Sequence, residues 1–267
     1  MAESVDALHA LRGKIARIER QRPVDAPALA SLGMAVVDDA LGGGIARARL
    51  HEIYAAERED AAGAAGFATM LACLMLPGGA PVLWLRQEEA ERQDGRLHAP
   101  GLAEIGLDPA RLVLAVLPDP VTLLRCAADV VRCAEVGAVV IELWRNPRGL
   151  DLTASRRLAV GAEASGVTAL MLRIQAEPSP SAAQTRWAVR AATSTALEAE
   201  APGHTVLAVE LLRQRGRPAG GHWRLEWDRE QARFTEPEDC GAAASGAVAA
   251  TAERGPADGA APRLRVG

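Results

Sequence analysis

Residues 50–76 read L-H-E-I-Y-A-A-E-R-E-D-A-A-G-A-A-G-F-A-T-M-L-A-C-L-M-L. A short apolar strand over 50–54, a loop and an apolar helix over 66–76 follow one another, which is the layout of a phosphate-binding loop. The working form of that loop is G-x-x-x-x-G-K-[ST]: backbone N–H groups cradle phosphate and the lysine reaches the outer phosphates. Here Phe67 follows Gly66 where the lysine is expected, Ala68 comes next, and Thr69 stands one position late. The single lysine of the chain is Lys14, far from this segment. A missing ammonium at contact distance forfeits about 4 kcal/mol at an effective dielectric near 20, roughly a thousandfold in affinity. Glu57, Glu59 and Asp60 crowd the same loop and repel phosphate. Gly63 and Gly66 are expected to bend the loop and to leave a helix N-terminus facing an anion. The segment reads as a nucleotide-binding architecture without its nucleotide chemistry.

Outward from this stretch, strands are expected at residues 81–85, 111–116, 138–144, 167–174, 186–192, 205–213 and 222–228, with helices at 120–133 and 153–165. Gly137 and Gly166 fit as helix-ending glycines. Strands alternating with helices through Ile174 imply an α/β fold with a mostly parallel central sheet and helices on both faces. Beyond Ile174 strand follows strand, so antiparallel pairing is expected toward the C-terminus. Residues 222–228 alternate, with Trp223, Leu225 and Trp227 on one face and His222, Arg224, Glu226 and Asp228 on the other, as on a half-exposed edge.

Three segments are expected: an N-terminal helix and linker (1–30), a core domain (31–235) and a disordered tail (236–267) rich in Ala, Gly, Glu and Pro. In the first, Leu8, Leu11, Ile15 and Ile18 recur at gaps of three and four as one narrow apolar stripe. Such a stripe beyond a linker docks either on its own core or on another subunit. In the tail, Arg263–Val266 reads as a docking peptide or a frayed terminus. With 49% hydrophobic residues in 267 the chain can bury a sizeable core. A net charge of −4 leaves nucleic-acid contact to local basic patches. No C-x-x-C spacing links the four cysteines, which are expected as buried free thiols in a reducing cytoplasm. No metal site, secretory leader or membrane span is expected; the longest apolar run is cut at Pro77.

The order of these pieces carries a family resemblance. V-V-D-D-A-L-G-G-G-I-A-R-A-R-L-H-E-I-Y over 36–54 resembles the segment leading into the phosphate loop of RecA-type recombinases. Glu52-Ile53-Tyr54 is kept, while the Gly-Pro that follows in that family is Ala55-Ala56. Together with residues 84–89, 100–112, 149–158 and 209–223, the degenerate loop is similar to that of the inducible mutagenesis protein A (ImuA) family, over roughly residues 31–234. The resemblance implies a RecA-like P-loop NTPase fold. It places Glu88, with Glu89 as alternate, nearest the glutamate that positions attacking water, and Glu142 nearest the acid that orders Mg²⁺. Carboxylates without a phosphate clamp have no anion to act upon, so both are expected as solvated strand-end acids. Neither catalysis nor ATP or Mg²⁺ as cofactor is expected.

Arg213, Arg215 and Arg217 alternate, so in an extended hairpin their guanidiniums share one face. Arg173 precedes the Pro/Ser loop at 177–184, and Arg186 and Arg190 follow it. By resemblance this region forms either a DNA-phosphate groove or a protein interface; the bland alternative is a solvated basic edge. Arg156 and Arg157 read as surface charges. The function implied is a non-enzymatic accessory role in an SOS-induced, error-prone translesion complex, in the cytoplasm and on the nucleoid when engaged. The implied partners are a Y-family polymerase-like mutasome protein and an error-prone DNA polymerase III α-type subunit, with RecA and single-stranded DNA as further candidates. A DNA-dependent ATPase and an SOS cell-division inhibitor are the alternatives.

The stripe yields a test: Leu11→Asp with Ile15→Asp is expected to abolish self-association or partner binding while the melting temperature of the core stays unchanged. A large cooperative drop in that temperature instead assigns the stripe to the core.

Overall fold

A computed structural model of the chain describes residues 28–76, 78–195 and 203–237. The N-terminal stripe (Leu8, Leu11, Ile15, Ile18) and the tail from 238 onward lie outside the described residues.

In chain order the elements are β1 (Leu29–Ala30), α1 (Ala35–Leu41), β2 (Ile45–Ala46), β3 (Leu50–Ala55), α2 (Ala61–Met75), β4 (Val82–Gln87), α3 (Glu88–Asp94), α4 (Ala99–Ile105), β5 (Leu112–Leu117), α5 (Pro120–Val130), β6 (Ala138–Trp144), α6 (Leu152–Ser165), β7 (Thr168–Ile174), β8 (Thr185–Ala192), β9 (Val206–Gln214), β10 (His222–Asp228) and β11 (Arg233–Thr235). Nine strands form one sheet in the order β11-β10-β9-β8-β3-β7-β6-β4-β5. From β8 to β5 every neighbouring pair is parallel, and β9, β10 and β11 add antiparallel. The expected mostly parallel α/β sheet with antiparallel C-terminal strands is therefore present. Leu29 and Ala30, assigned from sequence to the linker, pair antiparallel with β2.

β6 (A-V-V-I-E-L-W) and β7 (T-A-L-M-L-R-I) are near-continuous apolar runs because both faces of a parallel sheet are covered. α2 is apolar around its circumference; it is buried from Phe67 to Ala72, while its first turns border a cleft. It covers one face against Ile53, Leu170, Leu172 and Val140, while α5 and α6 cover the other against Leu50, Val139, Ile141 and Met171. Phe67 of α2 is the keystone of the first layer: its ring lies 5.8 Å from Trp187 and 5.7 Å from Phe234, which packs edge-on to Trp227 at 4.9 Å.

The caps are local chemistry. Asp119 accepts from the Thr122 hydroxyl and from the N–H groups of Thr122 and Val121 to open α5, and these bonds, the hydroxyl's first, hold its carboxyl below the usual range. Asp151 opens α6 by accepting from Ala154 N–H, and Gly166 at φ 87° closes it, as expected. Gly137 corrects the reading: α5 ends earlier, and Gly137 donates its N–H to Pro81 O at 2.9 Å to set β6 beside β4. The 222–228 strand alternates as read, but it is not the sheet edge, because the short β11 pairs along it. Of the described cysteines, Cys73 and Cys126 are half-buried and Cys133 is exposed, so burial does not hold for all. Burial raises the Cys73 thiol to about 11. No helix among the described residues is long and apolar enough to cross a membrane.

His51 is fully buried in β3. One ring nitrogen donates to Ala46 O at 2.8 Å and the other accepts from Thr185 Oγ, which in turn accepts from Trp187 Nε1. Desolvation lowers its pKa to about 4, with Arg49 adding to the fall and the Ala46 carbonyl opposing it. An unfolded histidine titrates near 6.5, so the unfolded state binds the extra proton as pH falls from about 6.5 to 4. Wild type is expected to lose up to roughly 3 kcal/mol across that window through this group alone. Chemical denaturation at stepped pH should give a steeper loss for wild type than for His51→Gln; parallel curves contradict it.

Candidate functional site

The C-terminal ends of the parallel strands carry the polar residues that interrupt otherwise apolar strands: Glu52, Arg86, Glu142 and Arg173. Each is at most 5% exposed, so each must find its partners inside the protein.

The segment after β3 differs from the sequence reading. α2 begins at Ala61, so Gly63 and Gly66 lie inside the helix and bend no loop. Gly63 faces the sheet, where a Cβ would make ordinary contact at 3.4 Å from Leu207 and 3.6 Å from Ala191 N. Thr69 is buried two turns along and donates to Ala65 O at 2.9 Å, away from the loop. The position after Gly66 is the core residue Phe67, so the place of a phosphate-loop lysine, at the start of the helix, belongs to Ala61. Ala62 and Gly63 follow, and the first turn offers neither ammonium nor hydroxyl. The five-residue loop, 56–60, is held by its own side chains. Arg58 pairs with Asp94 at 2.7 Å and donates to Gln93 O, while Asp60 accepts from Ala191 N–H at 3.0 Å.

Glu88 does not end the strand; it opens α3, half-exposed, and pairs along the helix with Arg92 at 3.0 Å. Glu89 does the same. Glu142 is where the resemblance put it, near the C-terminal end of β6, but it is not solvated. Arg86 Nε donates to it at 3.0 Å, Trp84 Nε1 at 2.9 Å and Trp144 Nε1 at 3.2 Å. Arg86 is locked in turn onto Gly95 O at 2.6 Å. The carboxylate has three donors and a full counter-charge. Beside it opens a cleft of about 450 Å³ between α2 and α4, lined by Ala62, Gly66, Leu97, Ile105 and Trp144.

On the opposite face a second cluster joins β3, β7 and β8. Glu52 has no exposed surface and accepts from Arg186 Nε at 2.9 Å, Ser181 Oγ at 2.9 Å and Tyr54 OH at 3.3 Å. Arg173 donates to Asn146 Oδ1 at 2.5 Å and to Tyr54 OH at 3.4 Å. Its guanidinium and that of Arg186 lie 5.4 and 5.6 Å from the Tyr54 ring centre. Burial raises the Tyr54 phenol and lowers Arg173, the neighbouring Glu52 adding to the first shift. Glu52 thus binds the Arg186 guanidinium directly and neighbours that of Arg173 through Tyr54, while all three of its donors meet Oε2 and Oε1 is buried without a hydrogen-bond partner. Arg145 (φ 56°) and Gln175 (φ 49°) turn the chain off β6 and β7 in left-handed geometry, a strained conformation that clusters at functional edges.

The basic constellation is redistributed. Arg186 and Arg173 are internal. β9 ends at Gln214, so alternation stops there and Arg213, Arg215 and Arg217 do not share one extended face. All three are exposed: Arg213 donates to Ser181 O at 3.1 Å, and Arg217 lies directly on Gly42, leaving no room there for a side chain. Arg190 is exposed on the open face of β8, across Ala208 from Arg224, which sequence reasoning passed over. Arg156 and Arg157 are surface charges, as expected. Among the described residues no group of three or more His, Cys, Asp or Glu is placed to hold a metal ion.

No protein-family model matches the chain. Protein ImuA of Caulobacter vibrioides, in strains NA1000/CB15N and ATCC 19089/CIP 103742/CB 15, is 34% identical over 199 residues, covering 69% of this chain and 77% of that protein. A crystal structure of the RadB recombinase superimposes with a TM-score of 0.52 at 14% identity, over 79% of this chain and all of that one, and shares the fold.

The Arg86–Glu142 pair is expected to be structural. Arg86→Met or Glu142→Leu alone should cost about 3–5 kcal/mol by stranding a buried charge, and the double variant should recover most of it. A double-mutant cycle by denaturation checks this; additive losses contradict it.

Proposed function

The chain belongs to the ImuA family, and from that premise we propose that it is a non-enzymatic accessory protein of damage-induced mutagenesis. It serves an error-prone translesion synthesis complex as an assembly factor rather than as a motor. Its partners are a Y-family polymerase-like protein and an error-prone polymerase III α-type subunit, met in the cytoplasm and at the nucleoid. The observation that carries this reading is the start of α2: Asp60, Ala61 and Ala62 stand where the glycine, lysine and hydroxyl residue of a phosphate loop are expected. The committed state of Glu142 supports it, since a carboxylate held by three donors has little left for a metal. The same features argue against a DNA-dependent ATPase.

The contacts to partners fall to the exposed arginines. Arg190, Arg213, Arg215, Arg217 and Arg224 supply local positive charge on a chain of net charge −4. Such a surface steers an acidic partner patch and is weakened by salt. Phosphates of single-stranded DNA suit it less well, because Glu210 and Glu226 stand on the same strands.

The test has two arms. Calorimetric titration of the full chain with ATP and Mg²⁺ is expected to show no saturable binding and no turnover; micromolar binding overturns the non-enzymatic reading. Capture of the two polymerase partners is expected to weaken for Arg213→Ala/Arg215→Ala/Arg217→Ala, mainly in association rate at low salt. If the division-ring protein is captured instead, the division-inhibitor alternative replaces the proposal. If neither polymerase binds, the assembly role fails.

A further inference from the structure

β5 is the unprotected end of the sheet. It reads L-V-L-A-V-L, pairs on one side with β4, and among the described residues has no partner on the other. Val113 is 50% exposed, Leu114 39% and Val116 37%, so both faces of the strand meet solvent. Edge strands are normally blunted by lysine, an internal proline, a bulge or a covering segment, because their free N–H and C=O groups template pairing with another strand. β5 carries none of the first three within it. Its six residues combine apolar character, zero charge and β-branched side chains, the profile of a strand that pairs when left open.

The occupant can be read from what the chain contains. An incoming strand must be uncharged and apolar on both faces, since β5 is apolar on both. Residues 1–27 and 196–202 carry charges throughout, and 238–267 offers alanine and glycine runs rather than a bulky apolar strand. The strand of this chain that has the required character and a free edge is β5 itself. We propose that β5 pairs antiparallel with β5 of a second copy across a two-fold axis, joining two nine-stranded sheets edge to edge. This surface is separate from the site described above and does not depend on the proposed function.

Symmetry fixes the register. Opposed residues of an antiparallel pair point to the same face, and a two-fold normal to the sheet keeps faces together, so the axis must pass through a residue. With the axis at Ala115, Pro118 would face Leu112 and remove a donor from the ladder. With the axis at Leu114, Leu112 faces Val116, Val113 faces Ala115, Leu114 faces itself, and Pro118 falls outside the ladder. Leu112, Leu114 and Val116 from both copies then make one six-residue aliphatic seam on the Trp84 side of the sheet. A seam this short is smaller than a standard permanent interface, so association in the micromolar range is expected.

The experiment is sedimentation equilibrium on the full chain, wild type against Leu114→Lys and Leu114→Glu. Wild type should dimerise with concentration. Each variant should associate at least tenfold more weakly, because like charges meet on the axis, and their equimolar mixture should recover dimer. Hydrogen exchange on unmodified protein, with alternate β5 amides slowing as concentration rises, tests the same contact without substitution. A wild type that stays monomeric with unprotected β5 amides overturns the proposal, as does association that survives either variant. A mixture that fails to recover overturns the two-fold register. A monomer whose β5 variants lose a different partner protein assigns the edge to that partner instead.

Discussion

Glu52 stands on the central strand of the sheet with no exposed surface and must keep its charge satisfied there. An unpaired buried carboxylate costs several kcal/mol, and its two nearest strands supply the remedy. Arg186 on β8 lies directly beside it in parallel register, and Ser181 reaches it from the crossover between β7 and β8. That crossover has no helix, so the need to cover Glu52 explains why residues 175–184 run over β3 and dock through Ala182 N–H onto Ser155 of α6. Parallel pairing of β8, the layering of α6 and the turn geometry at Gln175 all accommodate this one contact.

The same economy governs the other face. A RecA-like sheet directs its strand ends at the segment between the first strand and the following helix. In this chain several polar groups there are engaged within the molecule: Arg58 with Asp94, Asp60 with Ala191, Glu142 with Arg86 and two tryptophans. The buried guanidinium of Arg86 gives Glu142 a permanent internal cation. The cleft beside it is lined by Ala62, Leu97, Ile105 and Trp144 together with charged side chains, among them Arg86 and Glu142 themselves.

What remains outward-facing is segregated along the sheet. One end presents the uncharged β5 edge, and the other presents guanidiniums from β8, β9 and β10 and the turn beyond them. An apolar edge recognises by shape and backbone pairing; a basic surface recognises by charge at longer range. Placed at opposite ends, the two can be used at once, as the proposed assembly role requires.

Local periodicity is what the sequence alone determined. Residues 138–144 and 222–228 coincide with β6 and β10, because apolar runs and strict alternation are properties of neighbouring residues and of the faces they bury. The family motif around Glu52-Ile53-Tyr54 likewise located β3, though the loop after it ends at Asp60 rather than at Gly66. Partner choice was decided only by the tertiary structure. Nothing near Glu142 in sequence announces that Arg86 and Trp84, more than fifty residues away, will surround it. Nothing near Arg186 announces Glu52. The start of α2 escaped for a related reason: glycines that look like loop residues are tolerated inside a helix whose neighbouring side chains, Ala64 and Phe67 here, are packed into the core. Hydrophobic pattern is written residue by residue, but the burial of a charge is settled by whichever opposite charge the folded chain brings within hydrogen-bond reach.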